Sequence, residues 1–368
     1  MNHNLFLCNT VYQVLIAVWL RYNNFMADKA DIIISNHMNG YKTIAENIMK
    51  TELFENVYTA DSLAFSKGNI SYESRVTKFI CRLFPKYELK NYFDCSKKYN
   101  KIFFSNCDKF SALVYDVFKR KNKKLKLFLM EDGTSTYSML IKDFYEHTKP
   151  NSSWLKRFAF KYIFGKHFIY RNVLAIYAFR PDLMEWTPDF PAFKISPINH
   201  QDTYFKECVN TIFNYNDLED SYSEKYIIFE ESFFAETGYM EDVELIKKLA
   251  EIVGKENIFI KIHPRNQINR FEKLGFKTNK NTFIPWEVIA MNMDITNKKL
   301  VAIISTSILN PVSVLGMNSK GYSLIECLKD PPEIVNGTFG KCVVRLFENF
   351  SNNICICKKI EDIIKEIK

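Results

Sequence analysis

The sequence predicts an α/β protein of two domains, each built on a largely parallel β-sheet. The chain has 368 residues, which is enough for two domains with complete hydrophobic cores. Short apolar segments alternate with amphipathic helical segments, as expected for parallel strands covered by helices on both faces. Irregular, proline-containing chain at 180–191 precedes a second unit of the same kind. We expect the boundary between Ile195 and Ser223, and we set the domains at 1–205 and 206–368.

In the first domain, hydrophobic periodicity predicts five strands and three helices before residue 131. In chain order they are strand Leu5–Cys8, helix Val11–Tyr22, strand Asp31–Ser35, helix Tyr41–Met49, strand Val57–Ala60, strand Lys101–Ser105, helix Phe110–Arg120 and strand Leu125–Met130. Thr10 and Asp108 stand before two of the helices and are typical N-caps. From about Lys142 to Pro181 the pattern is helical, basic and aromatic.

The second domain repeats this alternation. We expect strand Lys225–Phe229, helix Met240–Val253, strand Asn257–Ile262, helix Trp286–Met291, strand Leu300–Ile304, a helix opening at Pro311–Val314, further elements at Ser319–Leu324 and Cys342–Phe347, and a closing amphipathic helix Ile360–Ile367. No internal repeat or low-complexity tract interrupts the pattern.

Cysteine usage indicates a reducing compartment. The nine cysteines are scattered at positions 8, 81, 95, 107, 208, 327, 342, 355 and 357, and none forms a CxxC pair. We expect free thiols in a cytoplasmic protein and no structural zinc. The first eight residues show no signal-peptide pattern, and no window reaches the ~18 apolar residues of a membrane span. The sequence therefore predicts a protein that acts on the cytoplasmic side of the membrane. Peripheral contact with the inner face of the plasma membrane is compatible with this location.

The net charge of +8 is concentrated in two blocks. Lys119-Arg-Lys-Asn-Lys-Lys-Leu-Lys126 is the first, and the basic, aromatic segment 154–180 is the second. The basic residues of the second block are Lys156, Arg157, Lys161, Lys166, His167 and Arg171. Each block is either solvated surface or a site of attraction for anionic lipid or an anionic acceptor. Nucleic-acid-binding motifs are absent, so no nucleic-acid partner is expected.

Polar side chains follow the predicted strands, where open parallel sheets bind their ligands. They are Asn9 and Thr10; Glu131, Asp132 and Gly133; Glu230 and Glu231; His263, Pro264 and Arg265; and Ser305, Thr306 and Ser307. The pairing of Phe128-Leu-Met-Glu-Asp-Gly-Thr134 with Ile260-Lys-Ile-His-Pro-Arg265 is the most informative feature. It offers a carboxylate on one domain and an imidazole on the other, as a sugar transferase with its active site in the cleft requires.

Asp132 is the candidate general base for an acceptor hydroxyl. A plain turn or helix-cap carboxylate is the alternative, because Asp-Gly pairs are common in turns. His263 is the candidate that protonates or hydrogen-bonds a phosphate leaving group, since its pKa lies nearest neutrality. A packed strand-end histidine is the alternative there, and Arg265 can add charge for a phosphate or carboxylate.

The segment Ser305-Thr-Ser307 offers hydroxyl and N–H groups for a phosphate, or else an ordinary N-cap. Glu287, which follows Phe283-Ile-Pro-Trp286, stands where a carboxylate can accept hydrogen bonds from ribose hydroxyls. Its alternative is a solvent-facing glutamate in the first turn of a helix. The chain has no P-loop, GxGxxG, HExxH or GxSxG motif and no strand-end DxD, so a metal-dependent GT-A transferase is not expected.

Five ordered pieces together resemble glycosyltransferase family 52, bacterial sialyltransferases and related enzymes of lipooligosaccharide and capsule synthesis. The pieces are Leu5-Phe-Leu-Cys-Asn-Thr-Val-Tyr-Gln13, Glu131-Asp-Gly-Thr134, His263-Pro-Arg265, Pro285-Trp-Glu287 and Ser305-Thr-Ser307. The resemblance implies a GT-B fold of two Rossmann-like domains facing each other across a cleft. It also implies a CMP-sialic acid donor, inversion at the anomeric carbon, no metal, and a possible homodimer.

By this resemblance His263 is the acid facing the donor phosphate, while the residues of Ser305-Thr-Ser307 hold the phosphate and Glu287 the ribose. Asn9, Thr10, Gly133, Pro264 and Arg265 complete the expected donor-binding set. The base is either Asp132 or a carboxylate after the first strand of the second domain, where this chain has Glu230 and Glu231.

The expected function is therefore metal-independent, inverting transfer of sialic acid from CMP-sialic acid to a sugar hydroxyl of a bacterial surface glycan. No cofactor beyond the donor substrate is expected. A GT-B transferase using a UDP-hexose and a non-catalytic glycan-assembly protein remain the alternatives.

Overall fold

The computed structural model describes residues 1–66, 80–81, 84, 86–106, 108–138, 154–155, 172–215, 220–365 and 367. The chain divides into two compact units. The first comprises Met1–Asp132, Ile141–Pro181 and Trp186–Ile195, and the second comprises Gly133–Leu140, Asp182–Glu185 and Ser196–Lys368. Each unit contains its own parallel sheet, which confirms the predicted α/β fold class.

The described residues of the first unit form a seven-stranded parallel sheet. Its strands are β1 (His3–Cys8), β2 (Lys29–Ser35), β3 (Asn56–Ala60), β4 (Lys101–Phe104), β5 (Lys126–Met130), β6 (Val173–Ala178) and β7 (Ala192–Lys194). Their order in the sheet is β3-β2-β1-β4-β5-β6-β7. Strands β1, β4 and β5 are therefore adjacent, and their carboxyl ends meet at one edge of the sheet.

The helices described in this unit lie between the strands. They are α1 (Val11–Asn24), α2 (Tyr41–Lys50), α3 (Ser62–Ser66), α4 (Lys86–Leu89) and α5 (Lys109–Lys121). Both predicted N-caps are confirmed. The Thr10 side chain accepts from the backbone N–H of Gln13 at 3.2 Å, and Asp108 accepts from that of Ser111 at 2.6 Å.

The helical pattern predicted from Lys142 to Pro181 is wrong at its end, because Val173–Ala178 forms strand β6 alongside β5. The strand is largely buried, so it shows no alternation of polar and apolar residues, and an aliphatic run of this length is compatible with either a helix or a strand. Strand β7 was not predicted. The basic residues predicted to contact a membrane, from Lys156 to Arg171, lie outside the described residues, and that contact stays a prediction.

The described residues of the second unit form a six-stranded parallel sheet. Its strands are β8 (Tyr226–Phe229), β9 (Ile258–Lys261), β10 (Lys277–Thr278), β11 (Lys299–Ala302), β12 (Lys320–Ser323) and β13 (Ile354–Ile356), in the order β10-β9-β8-β11-β12-β13. Its helices are α6 (Thr203–Ile212), α7 (Phe233–Thr237), α8 (Glu241–Val253), α9 (Trp286–Met291), α10 (Asn310–Ser313), α11 (Glu333–Asn336) and α12 (Thr338–Asn349).

Two details of the second unit differ from expectation. The predicted closing helix Ile360–Ile367 is a 3-10 helix over Ile360–Ile364. Helices α6, α7 and α11 and strands β10 and β13 were not predicted. The remaining predicted elements are present within a few residues of their expected bounds. No helix in the described part of the chain combines the length and the apolar character needed to cross a membrane.

Strand β8 lies between β9 and β11, and all three run parallel. Their carboxyl ends are therefore neighbours, although residues 229, 261 and 302 are far apart in the sequence. This topology brings the segments starting at Glu230, Ile262 and Ile303 to one edge of the sheet.

Candidate active site

Glu231 fixes the segment that follows β11. Its Oε1 atom accepts the backbone N–H groups of Ile303, Ile304 and Ser305 at 3.0, 2.8 and 2.9 Å. The side chain is buried. Burial raises the pKa of Glu231 to about 7, although the three hydrogen bonds act in the opposite direction. Glu231 therefore holds the backbone that presents Ser305.

Glu230 fixes the segment that follows β9. Its Oε2 atom accepts the backbone N–H of His263 at 3.1 Å, and its Oε1 atom accepts from Arg270 Nη2 at 2.8 Å. Arg270 also donates twice to Asp242, at 3.0 and 2.7 Å. All three side chains are buried. The carboxylate of Glu230 is thus part of an ion-pair network that positions the backbone of His263.

His263 is half-buried at the end of β9. Its Nδ1 atom accepts the backbone N–H of Arg265 at 3.1 Å, so the proton of the neutral ring lies on Nε2. Burial lowers the pKa of His263 to about 4, and the positive charges of Arg265 and Lys261 act in the same direction. At neutral pH His263 is therefore a neutral ring that presents an Nε2–H donor.

The two residues after His263 differ in exposure. Pro264 is half-buried, and Arg265 is exposed. Arg265 Nη1 forms an ion pair with Glu236 Oε1 at 2.5 Å. The guanidinium that was predicted to add charge for a phosphate is partly neutralised by this carboxylate.

Ser305, Thr306 and Ser307 are half-buried and lie directly after the part of the chain held by Glu231. The Ser305 hydroxyl donates to Ser307 Oγ at 3.0 Å, and Ser305 Oγ accepts the backbone N–H of Ser307 at 3.3 Å. The N-cap interpretation is therefore correct as a local contact. The hydroxyls of Ser305, Thr306 and Ser307 nevertheless form a compact group at the same sheet edge as His263.

Glu287 lies in the first turn of α9 and is buried, which excludes the solvent-facing alternative. Its Oε1 atom accepts from Asn310 Nδ2 at 2.5 Å. Burial raises the pKa of Glu287, while Asn310 and the charge of Lys261 act in the opposite direction. Asn310 is the one side-chain donor to Glu287 among the described residues, and a buried carboxylate of this kind is suited to accept hydrogen bonds from a ligand.

In the first unit, Asp132 is oriented by helix α1. Gln13 Nε2 donates to Asp132 Oδ1 at 2.7 Å, and Gln13 Oε1 accepts the backbone N–H of Asn9 at 2.7 Å. Gln13 is fully buried, whereas Asp132 is half-buried. One side chain thus links the ends of β1 and β5 and holds the carboxylate at the sheet edge.

Glu131 and Gly133, the residues on either side of Asp132 in the sequence, fix the backbone around it. Glu131 is buried and accepts from the Tyr12 hydroxyl at 2.9 Å and from the backbone N–H of Phe179 at 2.8 Å. Gly133 has a φ of +60°, a conformation that favours glycine. The Glu-Asp-Gly segment therefore holds Asp132 between a buried anchor and a turn.

Asn9 and Thr10 were predicted to bind the donor, and both side chains have contacts within the first unit. Asn9 Nδ2 donates to Asp108 Oδ2 at 3.1 Å, and the Thr10 hydroxyl caps α1. These contacts attach the end of β1 to the starts of α1 and α5. A donor-binding role for either residue stays a prediction.

The sheet topology brings together Glu230, Glu231, His263 and the Ser305–Ser307 hydroxyls in the second unit, and Asn9, Thr10 and Asp132 in the first. Four residues of these arrangements were not singled out from the sequence. They are Gln13, Lys261, Arg270 and Asn310. The sequence did contain a signal for two of them, because Gln13 and Lys261 are polar residues within apolar segments that the fold buries.

One group of three potential metal ligands exists among the described residues, and it consists of His3, Asp31 and Glu55. An ammonium already occupies this position, because Lys97 Nζ lies 2.7 Å from Asp31 Oδ2. The same oxygen accepts from the Tyr99 hydroxyl at 2.6 Å. We interpret the group as an ion-pair network, and we assign no metal to it.

Residues 4–320 match the family model of the alpha-2,8-polysialyltransferases (POLYST). The chain belongs to this family. The expected resemblance to glycosyltransferase family 52 is thus confirmed only at the coarser level of a sialyltransferase-like family. No curated protein sequence matches the chain.

A solved sialyltransferase structure supports the fold of this polysialyltransferase-family protein. The alpha/beta-galactoside alpha-2,3-sialyltransferase of Photobacterium phosphoreum matches with a TM-score of 0.52 at 13% identity, over 98% of this chain and 99% of that chain. The glycotransferase of kitacinnamycin matches with a TM-score of 0.49 at 9% identity, over 98% and 86%. LpCGTa in complex with UDP matches with a TM-score of 0.48 at 8% identity, over 99% and 88%.

The two Rossmann-like units and the sialyltransferase fold match establish the GT-B fold class. Family membership makes the protein a glycosyltransferase of the sialyltransferase group. The predictions of fold class and enzyme class are confirmed.

Proposed function

We propose that this protein is an inverting, metal-independent sialyltransferase. It transfers sialic acid from CMP-sialic acid to a hydroxyl of a bacterial surface glycan, in lipooligosaccharide or capsule. The observation that carries the proposal is the hydrogen bonding of His263, whose Nδ1 atom is occupied by Arg265 N–H and whose Nε2–H is therefore the ring donor. A neutral donor at the same sheet edge as three hydroxyl-bearing residues suits a leaving group with one phosphate.

On the donor side, bond cleavage leaves negative charge on a CMP phosphate oxygen. His263 Nε2–H and the Ser305 and Ser307 hydroxyls are the groups we assign to that charge. Because the His263 pKa is about 4 in the free protein, its first role is hydrogen-bond donation. The bound phosphate then raises this pKa, since a nearby negative charge favours the imidazolium.

On the acceptor side, we assign the general base to Asp132. Its carboxylate removes the proton of the acceptor hydroxyl as the acceptor oxygen bonds to the anomeric carbon and the bond from that carbon to the phosphate oxygen breaks. A single displacement of this kind inverts the anomeric configuration. The alternatives are less suitable, because Glu230 is paired with Arg270 and Glu231 accepts three backbone N–H groups.

For the acceptor, we propose a glycan that already ends in sialic acid. The family description names alpha-2,8-polysialyl transfer, in which each acceptor is an anionic sugar. The net charge of +8 suits a polyanionic substrate.

The proposal is tested by incubating the protein with CMP-sialic acid and, separately, with UDP-hexoses, in the presence of a chelator and a sialylated acceptor. We expect transfer from CMP-sialic acid alone. Turnover of a UDP-hexose but not of CMP-sialic acid would reject the donor assignment.

The assignment of the base is tested with Asp132→Asn, with Asp330→Asn as the control because Asp330 is exposed in the second unit. We expect Asp132→Asn to lower kcat by about 10²–10⁴-fold, the range for loss of general base catalysis. The control should keep full activity. Full activity of Asp132→Asn, together with loss of activity in Glu231→Gln, would move the base to the second unit.

A further inference from the structure

The positive charge of the first unit is concentrated at the edge where its strands begin. The seven strands run parallel, so their starts share one edge of the sheet, and Asp132 follows the end of β5 at the opposite edge. Four segments lead into the starts of β2, β3, β4 and β5, namely residues 21–29, 49–56, 94–101 and 119–126. Together they contain 12 basic and four acidic residues, a net charge of +8 that equals the charge of the whole chain.

Direct contacts join these segments into one surface. The buried Arg21 donates from Nε to Leu53 O at 2.7 Å, which connects the first segment to the second. Lys101 Nζ pairs with Asp28 Oδ2 at 3.2 Å, which connects the third segment to the first. Strands β4 and β5 pair in a register that sets Lys126 beside Lys101. We call the surface formed by the four segments the basic face.

The lysines of the basic face outnumber the carboxylates near them. Glu55 pairs with Lys29 at 2.7 Å, and Asp31 of β2 pairs with Lys97 at 2.7 Å. Five further lysines are exposed and form no ion pair with any residue that the structure describes. They are Lys98, Lys121, Lys123, Lys124 and Lys126. The basic face therefore presents uncompensated positive charge, which attracts a polyanionic surface.

Two methionines of the same segments are exposed. Met26, shortly after α1, is 50% exposed, and Met49, near the end of α2, is 56% exposed. Phe25, next to Met26, is half-buried, and Lys101 Nζ lies 4.6 Å from its ring centroid. Lysines combined with exposed apolar side chains fit the boundary between lipid headgroups and acyl chains. A polyanionic glycan would satisfy the lysines but leave both methionines in water.

We propose that the basic face binds the surface of an anionic membrane. The lysines contact lipid phosphates, and Met26 and Met49 enter the outer part of the acyl-chain layer. Lys126 and Asp132 lie at opposite ends of β5, about 20 Å apart for six residues of strand. A protein held by this face therefore keeps the Asp132 edge of its first unit in water, where a glycan acceptor can reach it. The proposal does not depend on the identity of the donor nucleotide.

Sedimentation with lipid vesicles tests the proposal, using vesicles of equimolar phosphatidylcholine and phosphatidylglycerol and vesicles of phosphatidylcholine alone. Wild type should bind the anionic vesicles and not the neutral ones. Four combined substitutions in the basic face should lower the partition coefficient for anionic vesicles by about 100-fold or more, since each basic residue near the lipid surface adds to the attraction. They are Lys121→Gln, Lys123→Gln, Lys124→Gln and Lys126→Gln.

The control makes the same change in net charge at four exposed lysines of the second unit, and its partition coefficient should stay within about threefold of wild type. Its substitutions are Lys248→Gln, Lys273→Gln, Lys329→Gln and Lys341→Gln. Equal binding of wild type and the basic-face variant to anionic vesicles overturns the proposal, as does an equal loss of binding in the control.

A second variant separates a membrane from a soluble polyanion. Met26→Ser combined with Met49→Ser leaves every charge in place, and it should weaken binding to anionic vesicles by about tenfold, because two apolar side chains lose their burial in lipid. The same variant should bind soluble polysialic acid no differently from wild type. Binding of wild type to soluble polysialic acid but not to anionic vesicles would make the basic face a glycan-binding surface, and this result overturns the proposal.

Discussion

At the scale of single residues, burial shifts the two main titratable groups of the second unit in opposite directions. It raises the pKa of Glu231 to about 7 and lowers that of His263 to about 4. In both cases the neutral form is favoured, as desolvation requires. The unliganded protein therefore holds a neutral imidazole donor in a fixed tautomer.

Replacing His263 by Ala should lower kcat by about 10²–10³-fold, the range for loss of one donor to developing negative charge. The fold should persist, because the side chain is half-buried and its only hydrogen bond in the described residues is to Arg265 N–H. Steady-state kinetics and circular dichroism measure the two effects. His37→Ala is the control, since His37 is exposed in the first unit. A folded His263→Ala variant with wild-type kcat would show that His263 takes no part in catalysis.

The same histidine should make stability depend on pH. Its pKa in the folded state, about 4, is lower than the ~6.5 of an unfolded chain, so the unfolded state binds more protons between these values. The contribution of His263 to the unfolding free energy therefore falls as the pH falls from about 6.5 towards 4. Urea unfolding of wild type and His263→Asn across this range measures it. The unfolding free energy of wild type minus that of His263→Asn should decrease as the pH falls, and a constant difference would contradict the shifted pKa.

At the scale of secondary structure, most strands of both sheets were predictable because they are short apolar runs bounded by turn residues, whereas β6, β7, β10 and β13 at the outer parts of the sheets were missed. The error at Val173–Ala178 has a physical cause, since a strand with apolar or aromatic residues on both faces lacks the polar–apolar alternation that distinguishes it from a helix. The 3-10 form of Ile360–Ile364 likewise depends on local contacts that periodicity does not encode.

The site was predictable as a set of strand ends, and its internal contacts were not. Glu230 and Glu231 were candidates for the base, yet they hold the backbone of the His263 and Ser305 segments. That role depends on Arg270, 40 residues away, and on amide groups more than 70 residues away. Sequence spacing gives no information about which buried donors will meet a carboxylate.

Removal of the Glu231 carboxylate should therefore destabilise the fold. Glu231→Ala leaves three backbone N–H groups without their acceptor, and each unsatisfied buried donor costs about 1–3 kcal/mol. We expect a loss of roughly 3 kcal/mol or more in the unfolding free energy, and a higher KM for the donor. Glu231→Gln keeps an acceptor oxygen and should retain most of the stability. Equal stability of Glu231→Ala and wild type would contradict this role.

Two glycines of the second unit should respond differently to alanine. A Cβ atom at Gly340 in α12 would lie 1.8 Å from the Val335 carbonyl oxygen of α11, whereas one at Gly238 meets no atom within 4 Å. Gly238→Ala should cost only about 1–2 kcal/mol, for its positive φ of 74°. Gly340→Ala should cost more, because the two helices must separate. Thermal melting of both variants tests this order, and a more stable Gly340→Ala would contradict the close approach.

At the scale of the whole molecule, the net charge of +8 should act on the acceptor. If the acceptor is a sialylated, polyanionic glycan, attraction to the protein is screened by salt. The KM for such an acceptor should rise several-fold from low to high ionic strength, while that for a neutral glycan acceptor should change little. Kinetics at matched pH with both acceptors measure this. A KM that is independent of salt would show that electrostatic attraction does not contribute to acceptor binding.

The central claim is that His263 donates a hydrogen bond from Nε2 to the phosphate of a cytidine nucleotide. Nitrogen-15 NMR of the histidine ring, titrated with CMP, tests it most directly. We expect a single Nε2–H tautomer of His263 with a pKa of about 4 in the free protein, and a clear upward shift of that pKa when CMP binds. A His263 signal that does not respond to saturating CMP, or a neutral ring protonated on Nδ1, would contradict it.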